Sequence, residues 1–192
     1  MKNSFCVVLF CCFLLQGFGQ SQTLFNDADI YGGFGGPIIE FSGFNGDVIT
    51  SIGGGGGVFL DNVFIGGYGM GSLEMRDPSV EQENFKMNLG HGGFWLGYAK
   101  NQYKLTHLFA STKLGWGSID VDFDGPGSKP SDNVFVISPE VGLEVNLFRW
   151  FKIGGTVGYR LVTGVNEIDT HSNSDFNSVT GGLVFRFGWF ER

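Results

Sequence analysis

"DVDFDG", residues 120–125, is the stretch with the sharpest chemical signature in this 192-residue chain. Asp120, Asp122, Asp124 and Gly125 match the first half of a D-x-D-x-D-G calcium loop, whose alternate oxygens converge on one cation. The match then stops. The twelfth position is Ser131 instead of Glu, Asp132 comes one step late, and no helical pattern flanks the loop. Two readings stand: an acidic rim where a strand enters a loop, or a site for calcium or another divalent cation. No other cofactor is expected.

The remaining candidates are sparse. His91, His107 and His171 are the only histidines. His107 shares a strand pattern with Ser111, but four residues of extended chain span about 13 Å, too far for a Ser–His hydrogen bond. His171 lies beside Ser172 and near Asp175 in a polar stretch. Gly53–Gly57 is an uninterrupted glycine run, yet no Lys-Ser/Thr or helix follows, so it does not read as a phosphate cradle. A set of charges of both signs, Glu140, Glu144, Lys152, Arg160 and Arg186, recurs on one phase of the last three strands, with Glu40, His107 and Lys113 as further members. Their types suit mutual pairing in a confined space.

The elements that carry these residues read as strands. In residues 140–162, Val141, Leu143 and Val145, then Phe151, Ile153, Val157, Tyr159 and Leu161, alternate with Gly, Thr and the charged set. Period-two alternation is the mark of a strand with two unlike faces. Composition agrees: 33 Gly and 21 Phe favour strands and tight turns over helices. Eight strands are predicted: 31–44, 48–60, 63–75, 85–98, 103–123, 134–148, 150–163 and 175–190. Short connections at Asp61-Asn62, Lys100–Gln102 and Phe148–Trp150 alternate with longer polar ones at 76–84, 124–133 and 164–174. Asn45-Gly46-Asp47 is a tight hairpin turn.

That layout predicts an all-β fold, an eight-stranded antiparallel up-and-down transmembrane barrel over 31–190. The apolar phase carries almost no charge, as a lipid-facing surface requires, while a soluble barrel would put its apolar phase inside. The polar phase, mostly Gly, Thr, Ser and Asn with a few charges, then lines a narrow lumen. Phe148, Trp150, Phe151, Trp189, Phe190, Tyr98 and Tyr103 are expected to form an interfacial girdle at the short-turn end. In the fourth strand Met87, Leu89, His91 and Trp95 share one phase and Phe94, Leu96 and Tyr98 the other; a bulge at Gly92-Gly93 would reconcile them.

The N-terminus reads as an export leader. Lys2 precedes an apolar run, Phe5–Leu15, and Gly17-Phe18-Gly19 offers small residues for cleavage after Gly19. Residues 20–30 would be a short periplasmic lead-in. All three cysteines, Cys6, Cys11 and Cys12, lie in the leader, so the exported chain has no disulfide, thiol chemistry or Cys-based zinc site. Cys12 is too early for a lipoprotein cleavage box. Loss of Lys2 takes the formal charge from −7 to −8. An acidic exported chain is a poor partner for nucleic acid.

The C-terminal "GGLVFRFGWF", residues 181–190, resembles the last strand of bacterial outer-membrane barrels, with Thr180, Gly182, Phe185 and Phe187 in the matching order. Glu191 and Arg192 follow the terminal aromatic, a departure from that pattern. "GGFGGPIIEFSGFNG", "VFIGGYGMG" and "PEVGLEVNLFRWFKIGGTVGYRLVTGV" likewise resemble small, porin-like outer-membrane barrels of Gram-negative bacteria, a group without an assigned activity. Together these stretches span about half of the exported chain. The resemblance implies an eight-stranded barrel inserted by the outer-membrane assembly machinery, with no established activity. The expected protein is a monomer with a filled polar lumen, in contact with outer-membrane lipid and lipopolysaccharide, with a structural or surface-interaction role through loops 76–84, 124–133 and 164–174 and no enzymatic activity. The competing expectations are a lipid-modifying enzyme, a narrow small-solute channel and a soluble periplasmic barrel.

Overall fold

The computed structural model describes residues 30–44, 47–73, 86–122, 131–166 and 172–190. The expected leader and lead-in, the Asn45-Gly46 turn, loop 76–84, most of loop 124–133, Asp124 and His171 lie outside the described residues. Among the described residues no helix is long and apolar enough to cross a membrane.

Eight strands follow one another around a closed antiparallel barrel: β1 (Ile30–Phe44), β2 (Asp47–Leu60), β3 (Val63–Ser72), β4 (Lys86–Ala99), β5 (Thr106–Asp122), β6 (Ser131–Phe148), β7 (Phe151–Thr163) and β8 (Ser178–Phe190). Closure pairs β1 with β8, with Gly32 opposite Phe190 and Ser42 opposite Thr180. A closed barrel leaves no strand edge with unpaired backbone groups.

Three boundaries differ from the sequence reading. The β4–β5 connection is longer than three residues: Lys100–Leu105 folds as turns and β5 starts at Thr106. Asn146 Nδ2 holds this segment through the carbonyls of Gln102 and Lys104, at 2.9 and 2.7 Å. Asp175 is not on a strand. It caps a 3-10 turn, Asn173–Phe176, by accepting from the Ser172 backbone N–H at 2.8 Å. β6 begins earlier than expected, at Ser131.

The polarity of the wall is read directly from exposure. Val141, Leu143 and Val157 are 57, 51 and 54% exposed, whereas Glu144 and Arg186 are fully buried. The apolar phase of β6–β8 therefore faces outward and the charged phase inward. β4 carries no bulge: its pairing with β3 and with β5 runs without a register break. Met87, Leu89, His91 and Trp95 all point inward, so the lumen is partly apolar.

The interior in fact holds two apolar clusters. One, around Phe44, Met87, Ile119, Val136 and Phe176, fills the long-loop end. The other, around Phe34, Phe59, Phe64, Trp95 and Phe109, fills the short-turn end. Glycine makes space for the second. A Cβ on inward-facing Gly53 would strike the Gly69 carbonyl oxygen and the Met70 side chain. Outward-facing Gly69 has open space around its added Cβ. Gly53→Ala is expected to cost about 1–3 kcal/mol through overpacking. Gly69→Ala is expected to be neutral or to stabilise by up to about 1 kcal/mol. Urea unfolding of the two variants in detergent micelles checks the contrast.

Candidate functional site: a buried charge belt

Between the two apolar clusters lies a belt of ionisable side chains. Glu140 on β6 and Lys113 on β5 project inward from strands paired in unbroken register, and their Oε2 and Nζ meet at 2.8 Å. Ser111 donates to Glu140 Oε1 at 2.6 Å, and Trp95 Nε1 donates to Ser111 Oγ at 3.2 Å. Glu40 reaches across from β1 and lies 3.6 Å from Lys113 Nζ and 3.7 Å from Arg160 Nη1. Arg160 Nε donates to the Phe176 carbonyl at 3.2 Å. That contact ties the belt to the 3-10 turn closing the long-loop end, where Phe176 is fully buried against Phe44.

A second group centres on Glu144. Arg186 Nη1 donates to its Oε2 at 2.6 Å, His107 Nε2 lies 3.0 Å from its Oε1, and Lys152 Nζ lies 3.7 Å away. The Arg186 guanidinium is boxed by four rings: Phe34, Phe64, Trp95 and Phe109 surround it at 4.6–5.2 Å. Cation–π attraction at a desolvated site is worth about 2 kcal/mol or more. This box explains how a guanidinium can be fully buried with Nε and Nη2 free of hydrogen-bond acceptors among the described residues.

The short-turn end is closed by the Lys100–Leu105 segment. Gln102 is buried there; its Nε2 donates to the Asp61 carbonyl at 3.0 Å and its own carbonyl accepts from Lys152 Nζ at 3.1 Å. Lys152 also sits 3.9 Å above the Phe190 ring. Beside this strap a recess of about 1070 Å³ opens at the barrel mouth.

Glu140, Glu144, Lys152, Arg160 and Arg186 thus lie together in the interior, with Glu40, Lys113 and His107. The aromatic box could not be read from sequence. Its rings come from β1, β3, β4 and β5, where glycine-rich stretches show little phase. Phe190 departs from the expected girdle: its ring turns inward and packs on Phe59 at 6.1 Å. The exposed rings at that end are Phe148, Trp150, Phe187, Trp189, Tyr98 and Tyr103. Phe148 stacks on Trp150 at 5.4 Å, and Phe151 on Phe187 at 4.6 Å.

Of the acidic trio, Asp124 lies outside the described residues. Asp120 has one oxygen on Ser131 Oγ at 2.7 Å and the other on Ser118 Oγ at 3.0 Å. Asp122 ends β5. Among the described residues no group of three His, Cys, Asp or Glu could hold a metal ion. Ser111 bonds to Glu140, His107 contacts Glu144, and His91 Nδ1 lies 2.9 Å from Tyr68 OH. No Ser–His–carboxylate relay therefore forms among the described residues, where Ser111, His107 and His91 are buried.

Comparison with known proteins agrees on fold. No family model and no curated protein matches the sequence. Among solved structures, the chain is similar to Neisserial surface protein A, with TM-score 0.59 and 12% identity over 81% of this chain and 95% of that one. It is also similar to the N-terminal β-barrel domain of Pseudomonas aeruginosa OprF, with TM-score 0.55 and 14% identity over 83% and 98%. A third is Ail, the attachment invasion locus protein of Yersinia pestis, with TM-score 0.53 and 12% identity over 84% and 100%. The chain has the fold of these small eight-stranded outer-membrane barrels.

Proposed function

We propose that this chain is an integral outer-membrane barrel with a filled interior, acting as a structural element or as a surface-interaction protein through loops 76–84, 124–133 and 164–174. The single observation that carries this reading is the reversed polarity of the wall. Exposed Val141, Leu143, Val157 and Leu183 would each cost water-accessible apolar surface at about 25 cal/mol per Å² in an aqueous compartment. A bilayer removes that cost, and the short turns with their aromatic rings then sit at the periplasmic interface. Export by the leader at residues 1–19, folding by the assembly machinery from the last strand, and a monomer in contact with lipopolysaccharide belong to the same reading.

The interior argues for a plug. Apolar clusters at both ends flank a belt of paired charges, and the interior of an eight-stranded barrel is narrow enough for side chains to fill. Purified protein in planar bilayers is expected to show no conductance step; regular steps would favour the narrow channel. The lipid-modifying reading loses support from the separation of Ser111 and His107 into different contacts.

Membrane fractionation tests the main proposal. The protein is expected to stay with the outer membrane after alkaline carbonate extraction and to migrate faster on gels unheated than boiled. Release into the aqueous fraction without detergent would overturn it. Replacing the three loops with short turns, singly, is expected to leave the barrel folded and to abolish whatever cell-surface adhesion the intact protein confers.

A further inference from the structure

The short-turn mouth holds a recess that the barrel itself does not fill. Its volume is about 1070 Å³, just above the range of about 300–1,000 Å³ usual for organic-ligand pockets. Phe190 and Trp189 line it together with Gln102, Asn146, Arg149 and Lys152. Two acceptors there are unused. Gln102 is 2% exposed, and its Oε1 has no hydrogen-bond partner among the described residues. Asn146 spends its Nδ2 on two carbonyls, and its buried Oδ1 is likewise unpartnered among the described residues. Both oxygens are closed to solvent, so what the recess takes is set by its charge and its aromatic wall.

Charge narrows the occupant. Among the described residues the lining carries Arg149 and Lys152 and no carboxylate. Lys152 is offset by Glu144, but Arg149 is exposed in the β6–β7 turn, and the neighbouring turn adds exposed Lys100 and Lys104. Asp61 is the one exposed carboxylate in the three described short connections. The recess therefore fits an acidic segment that also brings an apolar side chain to meet the aromatic wall.

The chain supplies such a segment at this end. Ile30 begins β1 at the short-turn rim, two residues before Gly32, which pairs with Phe190 at the edge of the recess. The ten residues before it, 20–29, read QSQTLFNDAD. They contain Asp27 and Asp29, no Lys or Arg, the apolar pair Leu24-Phe25, and the amides of Gln20, Gln22 and Asn26. Ten residues span up to about 33 Å extended, ample to enter a recess that starts beside their own anchor. We propose that the recess is the docking site for this chain's residues 20–29, with Leu24-Phe25 against Phe190 and Trp189 and the two aspartates toward Arg149 and its neighbours.

The test uses the full protein extracted from membranes, with Leu24→p-benzoylphenylalanine as a photo-crosslinker and mass spectrometry to map the products. Crosslinks to residues 146–152 and 188–190 of the same molecule are expected. Arg149→Glu should cut their yield several-fold, and adding Asp27→Lys with Asp29→Lys should restore it. Arg149 is exposed in a turn, so the variant should keep the heat-dependent gel shift of the folded barrel. Crosslinks confined to phospholipid, to a second molecule or to β1 and β2 would overturn the proposal, as would a yield unmoved by the charge swap. None of these outcomes bears on the membrane assignment, which fractionation reads separately.

Discussion

Glu144→Gln is expected to destabilise the barrel by about 3–5 kcal/mol, the range for breaking a buried ion pair by removing one partner. Glu144 is fully buried and is the carboxylate that Arg186, His107 and Lys152 share, at 2.6, 3.0 and 3.7 Å. Glutamine keeps the volume and removes the charge, leaving the fully buried Arg186 guanidinium without the carboxylate it touches. Urea unfolding followed by tryptophan fluorescence in micelles measures the loss. Combining it with Arg186→Met should recover part of the loss, because the double variant no longer buries that lone guanidinium. A single-variant cost below about 1 kcal/mol would place Glu144 among the weak pairs typical of exposed ions and contradict the closed interior. Arg186→Lys should not be neutral either. A lysine ammonium lacks the planar group that lies among the four rings.

Val157→Arg is expected to cost about 2–4 kcal/mol in a lipid bilayer, as a cation at the midplane does on a barrel's outer face. Val157 sits at the centre of β7, half-exposed on the outside, and pairs with Val141 and Gly181. Val179→Arg is the control. It is also outward-facing but lies at the long-loop end of β8, where the cost falls to about 0–1 kcal/mol. The depth dependence is the diagnostic. A soluble barrel would tolerate arginine equally at both positions, since both would face water. Equal and small losses in liposomes would therefore sink the membrane reading.

The last three strands were legible because their two phases differ in chemistry. Val141, Leu143 and Val157 against Glu144, Lys152 and Arg160 leave one assignment once charge is weighed. The first four were not, because residues such as Gly53–Gly57 and Gly66-Gly67 display no face, and because Trp95 and Met87 are apolar yet point inward. A bulge at Gly92-Gly93 is needed only if every apolar residue faces lipid, and inward-facing Met87, Leu89 and Trp95 remove that need. An aromatic at a strand end such as Phe190 reads as interfacial, yet its strand parity with Arg186 sends the ring inside against Phe59.

By itself the sequence determined the strand count, the alternation of short and long connections and the outward polarity of β6–β8, because period two and charge exclusion are local properties of a strand. Only the tertiary structure decided which carboxylate meets which cation, the aromatic box around Arg186, the inward fold of the Gln102 strap and the recess beside it. Those depend on the stagger between strands distant in sequence and on the curvature that brings opposite walls together, and no local pattern encodes either.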